Sequence, residues 1–471
     1  MLSPDAGVAE RHDTQGRQRG LVFLVMALYV ACFHWMYVHF LYPSFEYLGY
    51  NYDPPASGYF ALSIVLSLSP CLWMPLKLTR PSQLAYWVLY VTVLIPSMFV
   101  PLYAGYESTR EVAVMMAMFF LAFLLTGLGY LLPLWKLDRT RLRPRTFWRM
   151  FGFITIGLTA WLVIVFRHNL QIVSFNDIYD LRFAANDVAD GTLVNYAFMP
   201  LTGAINPLLM GYGLFYRRRW IFLVGVAGQL LVYSVLGTKG SVLSILFVPG
   251  IYFLLKIKRF SFGLNLALAS LALIATACLL LSRLDPEPGT ISGIVLFVVF
   301  ARTLSMGGLL TAQYFDFFLR NPYTYWSHLK VVDWFIHYPY QYGVGQEVGV
   351  AYGGTTALNA TTHFYATDGI GAAGLAGLVV MGLVSAAVFW MLDSAAQHRD
   401  PRLAVLITSY AAFNLANISM FTSLLSGGLG MLMLCLYLLP PMAPNSAGQF
   451  RIHGQTAPGV NGSLRLGDIP T

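Results

Sequence analysis

Charged side chains are scarce in this sequence, and their scarcity excludes a soluble globular protein. Only 11% of the 471 residues are Asp, Glu, Lys or Arg, whereas a soluble domain carries about 25%. Hydrophobic residues make up 57% of the chain, and the mean hydropathy is +0.63. A soluble protein of this composition would lack the polar surface that keeps it dissolved. The composition therefore predicts a protein embedded in a membrane.

Cysteine is also scarce, and nucleotide and metal motifs are missing. The four cysteines all lie within apolar stretches, so no loop disulfide is expected: Cys32, Cys71, Cys278 and Cys435. The sequence has no zinc-type Cys/His spacing, P-loop, nucleophile elbow or kinase motif. We therefore expect neither a metal ion nor another cofactor.

Long apolar blocks are what the sequence has instead. A block of about 20 residues matches a hydrocarbon core of about 30 Å at 1.5 Å per residue. The blocks are continuous rather than alternating, which favours helices over a barrel. We predict an all-α polytopic membrane protein with about 12 transmembrane helices. Their predicted ranges are 20–42, 58–76, 84–103, 112–134, 150–166, 196–216, 220–237, 242–256, 262–282, 370–392, 403–422 and 425–441.

The basic residues predict an orientation. With a cytoplasmic N-terminal segment at 1–19, 21 of the 29 Lys and Arg residues fall on the cytoplasmic side, as the positive-inside rule requires. The first apolar block is too long for a signal peptide, so we expect it to be retained as a span. The pI of about 9.2 then reflects topology and attraction to anionic lipid, and we expect no nucleic-acid partner.

After the N-terminal segment 1–19, this orientation divides the chain into four further parts. Residues 20–282 form a membrane domain of about nine helices, interrupted by a moderate periplasmic loop at 167–195. Residues 283–369 form a large periplasmic loop with interfacial helices. Residues 370–441 hold three further spans, and 442–471 form a disordered cytoplasmic tail. Ile291–Leu310 is apolar enough to cross, but Arg302 lies in its middle, so we expect an interfacial or re-entrant helix there.

The predicted outer loops combine isolated cations with many aromatic rings. Guanidinium groups form paired hydrogen bonds with phosphate oxygens, and aromatic faces offer platforms for sugar rings. The structural alternative is an ordinary interface, where Tyr and Trp form belts and arginines reach the lipid headgroups. The candidate substrate-binding residues from this pattern are Arg167, Arg182, Lys239, Arg302, Tyr325 and Trp326.

Histidines supply the candidate general bases. An imidazole suits the removal of a proton from a sugar hydroxyl. His328 and His363 lie in the predicted outer region, and His337 is a third choice. The alternative is that each is an ordinary hydrogen-bonded interface residue.

Lys239 lies at the tip of a predicted turn at Gly237–Ser241, where it could present a cation to a phosphate.

Together these features resemble the O-antigen polymerase (Wzy) family, which is related to the O-antigen ligases. The resemblance extends from the first span to about Pro440. It depends on the motifs Asp180–Arg182, Gly237–Gly240, Arg302 and Asn359–Gly371. Members of the family often have Arg where Lys239 stands, and Lys cannot form the paired hydrogen bonds of Arg.

The resemblance implies an all-helical, lipid-dependent glycosyltransferase of the bacterial cell inner membrane. It would act in lipopolysaccharide biosynthesis with its active site facing the periplasm. It would transfer a growing chain from undecaprenyl diphosphate to a lipid-linked repeat unit, without a nucleotide. Other implied partners are membrane lipids and a chain-length regulator protein. The implied catalytic residues are Arg182 and Arg302 at the diphosphate, and His328 and Asp368 for base or orientation; His363 is a further substrate contact.

Three alternatives stay open. An O-antigen ligase would move the chain onto a different acceptor with the same residues. A polyprenyl-phosphate-sugar glycosyltransferase would use outer carboxylates such as Glu46 and Asp53. A flippase or transporter would need a polar pathway, and the predicted cores of all spans lack charged residues.

Overall fold

The computed structural model describes residues 4–138, 142–167, 195–237, 239–287, 289–355 and 358–440. All regular secondary structure in these ranges is helical. In chain order the main helices are α1 (Gln15–Leu48, the apolar part of a helix that begins at Pro4), α2 (Ser57–Leu68), α3 (Ser82–Ala104), α4 (Thr109–Leu131), α5 (Pro144–Val165), α6 (Asn206–Phe215), α7 (Arg219–Leu236), α8 (Lys239–Lys256), α9 (Phe262–Leu281), α10 (Ile291–Arg320), α11 (Val344–Gly353), α12 (Tyr365–Ala396), α13 (Pro401–Asn414), α14 (Met420–Leu425) and α15 (Leu429–Leu438).

The protein is an α-helical membrane protein. Within the described ranges, seven helices are long and apolar enough to cross a membrane: α1, α3, α4, α5, α9, α10 and α12. Several others are apolar but shorter, among them α7, α8 and α15. The twelve crossings expected from the sequence therefore stay a prediction.

The loops gather at two ends of the helical bundle. At the basic end, Gly263 donates its N–H to Leu76 O (2.9 Å), and the Trp390 indole donates to Pro133 O (2.7 Å). At the opposite end, Asp53 N–H donates to Tyr103 O (2.9 Å). The loops of the basic end hold many of the basic residues: Lys77, Arg80, Lys136, Lys258, Arg259 and Arg399.

Helix α10 bends instead of crossing straight. Its backbone departs from helical geometry at Ser305 (φ −121°), after an 11-residue π-helical stretch at Val295–Ser305. The first half contacts the opposite end through Tyr50, whose hydroxyl donates to Ala301 O (3.2 Å). The second half ends there too, because Arg320 pairs with Glu107 (2.6 Å). These contacts favour a re-entrant element within the range that the sequence marks as ambiguous.

Helix α12 folds back on itself near its beginning. Ala373 and Gly374 are not helical, and Gly374 has φ +59°. A Cβ added at Gly377 would overlap the carbonyl oxygen of Gly369, although eight residues of continuous helix span about 12 Å. Residues 365–372 therefore form a short half-helix beside the start of the long segment 375–396.

The last predicted spans are also interrupted. The helix in the predicted span 403–422 ends at Asn414, and a turn follows. A new helix, α14, then begins, and its N-cap Ser419 accepts a hydrogen bond from Thr422 N–H (3.3 Å). The predicted span 425–441 begins only at Leu429, after Gly428 at φ +90°. Irregular backbone at the depth of a membrane is tolerated where it is buried in protein or lines a cavity. The three interruptions, in α10, in α12 and between α13 and α15, therefore mark the region to examine for a site.

Candidate functional site

Three of the predicted site residues cannot be fully placed. Arg182 lies in the segment 168–194, outside the described residues. Lys239 is the first residue of α8, whereas the sequence predicts it at the tip of a turn at 237–241, and its side chain is not described. Arg167 is exposed at the end of α5, next to the undescribed segment. Their roles stay predictions.

Asp368 lies at the centre of the candidate site. It sits in the half-helix 365–372 and is completely buried. Its Oδ2 accepts hydrogen bonds from the Ser419 hydroxyl (2.9 Å) and from Met420 N–H (2.6 Å) at the start of α14. The carboxylate therefore caps a helix of another part of the chain, where the helix dipole favours negative charge. Asp368 lies within the apolar helix Tyr365–Ala396, whereas the sequence predicts it in the outer loop 283–369.

His328 is the second predicted residue that the fold brings to this place. Its Nε2 lies 3.3 Å from Asp368 Oδ1, and its Nδ1 lies 3.2 Å from the Thr324 hydroxyl. The side chain is only 12% exposed. Both ring nitrogens are thus engaged within the protein, as in a base whose ring is oriented by a carboxylate.

The turn before His328 has an unusual backbone. Tyr325 and Trp326 both have positive φ (46° and 62°), and Ser327 N–H donates to Thr324 O (2.8 Å). Two positive φ values with such a bond are typical of type I′ turns, which favour Gly and Asn. The half-helix 365–372 holds the turn, since the N–H groups of Thr324 and Tyr325 donate to Gly371 O (3.0 Å) and Ala372 O (2.9 Å).

The two aromatic residues of this turn differ in exposure. The Tyr325 side chain is about half exposed (52%). The Trp326 indole N–H is buried and has no hydrogen-bond partner among the described residues. Strained backbone and an unsatisfied donor cost free energy, and both cluster at functional sites. The geometry is therefore compatible with the predicted role of this pair in binding substrate.

Arg302 lines a small cavity that His328 and Asp368 do not line. It lies in the π-helical part of α10 and is exposed. In the described part of the chain, no acceptor receives a hydrogen bond from its guanidinium and no carboxylate pairs with it. The cavity measures about 40 Å³, room for about three water molecules. Its polar lining consists of Thr92, Arg302, Thr303, Thr361, Thr362 and Asn417.

Two chain segments, residues 417–419 and 362–367, each contact both the Arg302 cavity and the surroundings of Asp368. Asn417 lines the Arg302 cavity, and two residues later Ser419 bonds to Asp368. On the other side, Thr362 lines the cavity and receives a hydrogen bond from Thr367, the neighbour of Asp368 (3.1 Å). The Arg302 cavity and the hydrogen-bonded His328–Asp368 pair are thus built partly from the same two segments.

His363 does not face a cavity. It is completely buried; its Nδ1 accepts from Ala366 N–H (3.2 Å) and its Nε2 donates to Gly307 O (3.2 Å). These bonds fix the neutral ring, and burial lowers the pKa of His363 to about 4. The predicted contact with substrate is therefore replaced by a structural role, in which His363 ties the start of the half-helix 365–372 to α10.

A larger apolar groove adjoins the Arg302 cavity. It measures about 510 Å³, and three residues, Thr92, Thr303 and Phe413, line both spaces. Apart from these, its walls come almost entirely from apolar side chains of α3, α8, α9 and α10. A cation at the edge of an apolar groove is an arrangement that suits an amphiphilic anion.

Sequence reasoning missed several polar residues of the site, notably Thr324, Asn417 and Ser419. Asn417 and Ser419 stand within the predicted apolar span 403–422, and polar residues inside a span were the available signal. Thr324 gives no such signal. Among the described residues, no three His, Cys, Asp or Glu side chains come close enough to hold a metal ion.

No family model matches this chain, and neither a curated protein nor a solved structure is significantly similar to it.

Proposed function

We propose that this protein polymerises lipid-linked oligosaccharide repeat units of a surface polysaccharide. One observation carries the proposal: Arg302, in an apolar helix, has no acceptor or counter-ion in the described part of the chain. A charged side chain within an apolar membrane-spanning segment is costly and marks a functional site by default. A bound anion would compensate the charge, and the polar cavity beside Arg302 offers space for a phosphate group.

The proposed reaction transfers a glycosyl chain. A hydroxyl of the acceptor attacks the anomeric carbon of the donor, and the bond to the diphosphate oxygen breaks. The diphosphate leaves with the bonding electrons, and Arg302 stabilises its growing negative charge. His328 takes the hydroxyl proton, with Asp368 orienting its ring; the acceptor hydroxyl would then replace Thr324 at Nδ1. Arg182 stays a candidate second cation.

The test of this proposal is the Arg302→Ala variant. Loss of a positioned donor typically costs 10²–10³ in rate, so we expect chain elongation to fall by about that factor. Arg302→Lys should recover only part of it, because a lysine cannot form paired hydrogen bonds. The measurement is the length distribution of sugar chains made by purified protein in lipid nanodiscs from lipid-linked repeat units. Arg283→Ala, at another exposed arginine, is the matched control. Normal ladders from Arg302→Ala would overturn the proposal.

A lipid-linked oligosaccharide flippase is the second candidate. Broken helices with buried polar groups are typical of transporter binding sites, and this chain has breaks at Ser305, Gly374 and residues 415–428. Reconstitution in sealed vesicles separates the two functions. A polymerase lengthens the sugar chain without moving lipid across the bilayer, whereas a flippase moves a fluorescent lipid-linked sugar and leaves its length unchanged. A ligase would need a different acceptor. The carboxylates expected for a polyprenyl-phosphate-sugar glycosyltransferase, Glu46 and Asp53, are exposed and do not line the Arg302 cavity.

A further inference from the structure

The apolar groove runs lengthwise through the bundle. Along α8 its lining extends from Leu243 to Leu254, a distance of about 16 Å at 1.5 Å per residue. Along α3 it extends from Leu84 to Thr92. Because Leu84 lies two residues from the start of α3 at the basic end and Thr92 lines the Arg302 cavity, the groove leads from the basic end to Arg302.

The chemistry of the groove changes abruptly at its Arg302 end. Its walls are leucine, valine, isoleucine and phenylalanine side chains along most of its length. At the end that the groove shares with the Arg302 cavity, the lining contains the hydroxyl groups of Thr92 and Thr303 and the guanidinium of Arg302. A ligand that matches both parts has a long hydrocarbon chain and one anionic head.

The groove also has unfilled space at a specific point. Gly250 of α8 lines it, and a Cβ added there would meet no atom within 4 Å. A groove of about 510 Å³ lies in the range of ligand-binding pockets. Its apolar walls favour a hydrocarbon chain over a polar ligand.

We propose that this groove binds the hydrocarbon tail of a lipid phosphate whose phosphate group lies at Arg302. The tail would extend from Arg302 toward the basic end, along α3 and α8. This inference rests on the proposed function in taking the lipid to be the sugar-carrying polyprenyl substrate. It adds the position of the tail, which lies along α3 and α8.

The Gly250→Phe variant tests the assignment, because Gly250 lines the groove and an added Cβ there would meet no protein atom within 4 Å. Gly157→Phe is the matched control: it lies on an exposed face of α5, its Cβ also meets nothing within 4 Å, and it does not line the groove. The probe is a polyprenyl phosphate with a photoreactive benzophenone near the end of its tail, added to purified protein in nanodiscs.

In the wild type and in Gly157→Phe, the tail probe should label peptides of α8 and α9. In Gly250→Phe, labelling should fall at least about tenfold, since several methylene groups lose their burial. Gly250→Ala and Gly250→Leu should give small and intermediate losses, and this graded series separates blocking from misfolding. Labelling of other helices, or equal labelling in Gly250→Phe and its control, would overturn the proposal.

A second measurement separates this inference from the proposed function. Wild-type protein should elongate substrates with a full-length polyprenyl tail faster than substrates with a tail of two isoprene units. Gly250→Phe should abolish this preference, and the control Gly157→Phe should retain it. If the wild type elongates neither substrate, the proposed function fails, while the labelling result still decides the groove. If it elongates both equally well, the tail site is wrong.

Discussion

Asp368 is the residue on which most of the site's internal contacts depend. Its two oxygens bond to the His328 ring, the Ser419 hydroxyl and Met420 N–H, which belong to two separate segments. A buried carboxylate with three donors is stabilised by them, and each donor in turn loses its partner if the carboxylate is removed. Asp368 therefore has a structural role beside any part that it takes in catalysis.

Replacing Asp368 with Ala should destabilise the protein strongly. Three buried donors would be left without an acceptor, at about 1–3 kcal/mol each, so we expect a loss of at least about 3 kcal/mol. Asp368→Asn, which keeps one carbonyl oxygen, should lose less. Thermal unfolding in detergent measures the effect. Asp333→Ala removes an exposed acceptor of one hydrogen bond, from Tyr338 N–H, and should cost at most about 1 kcal/mol. Equal stability of the two Ala variants would contradict the structural role.

His363 makes stability depend on pH in a defined direction. Its pKa is about 4 in the folded protein and about 6.5 when unfolded. The unfolded chain therefore binds a proton first as the pH falls, so stability decreases between pH 6.5 and 4 by up to about 1.4 kcal/mol per pH unit. His363→Asn should flatten this slope while lowering stability at pH 7. Proteolysis rates between pH 7 and 4 provide the measurement; an unchanged slope in the variant would show that another group titrates.

At the level of single residues, the sequence predicted the site only in part. His328 and Asp368 were expected to act together, and they lie 3.3 Å apart. Their distance in sequence is 40 residues, so the pairing came from the resemblance and not from any local pattern. His363 was misjudged because nothing in its neighbourhood distinguishes a buried histidine from an exposed one. Thr324 was missed because threonine is too common to mark a site.

At the level of elements, the fold depends on backbone breaks that composition does not reveal. The apolar ranges of α10, α12 and α13 were located from hydropathy, which averages over many residues. The fold-back at Gly374 interrupts an apolar segment without changing its hydropathy, so the sequence predicts one straight helix there. The other breaks leave a local trace in polar residues, such as Ser305, Asn417 and Ser419, and in Gly428.

Gly374→Ala should test the fold-back. Gly374 has φ +59°, and an added Cβ would lie 2.6 Å from the Tyr323 hydroxyl oxygen. Gly354 caps α11 with φ +69° and has open space around its Cβ. Gly354→Ala should therefore cost only the backbone strain, about 1–2 kcal/mol, and Gly374→Ala clearly more. Unfolding in detergent gives both values.

A double substitution checks the cause of the Gly374→Ala effect. Tyr323→Ala removes the colliding ring, so combining it with Gly374→Ala should cost less than the two single changes added together. Strict additivity would mean that Gly374 does not pack against the Tyr323 ring.

At the level of the whole molecule, the two ends of the bundle carry different chemistry. The loops of the basic end join α2 to α3, α4 to α5, and α8 to α9, while the candidate site lies nearer the opposite end. The excess of basic residues at one end predicts that this end faces the cytoplasm. Single cysteines in a background free of the four native ones test this with an impermeant reagent.

Residues 143 and 335 are suitable labelling positions. Arg143 is exposed just before α5, and the Phe335 side chain is 84% exposed in the loop that follows His328. In intact spheroplasts, a cysteine at 335 should react and one at 143 should react only after the membrane is permeabilised. Cysteines at two positions on one end, such as 143 and 258, should behave alike. The reverse pattern would place the candidate site in the cytoplasm and remove the proposed periplasmic reaction.

The fold-back of α12 has a consequence for the order of biosynthesis. Asp368 leaves the ribosome 51 residues before Ser419 and 52 before Met420, which corresponds to about 3–10 s at 5–20 residues per second. During that interval the carboxylate has neither of its α14 donors, so its burial would be unfavourable. The apolar segment 365–396 can therefore enter the bilayer first as a longer helix, with Asp368 held near water. The half-helix would close only when α14 arrives, which makes the candidate site one of the last parts of the molecule to form. A nascent chain that stops before residue 419 would then expose Asp368 to a water-soluble carboxyl reagent, and a chain extended past residue 425 would protect it.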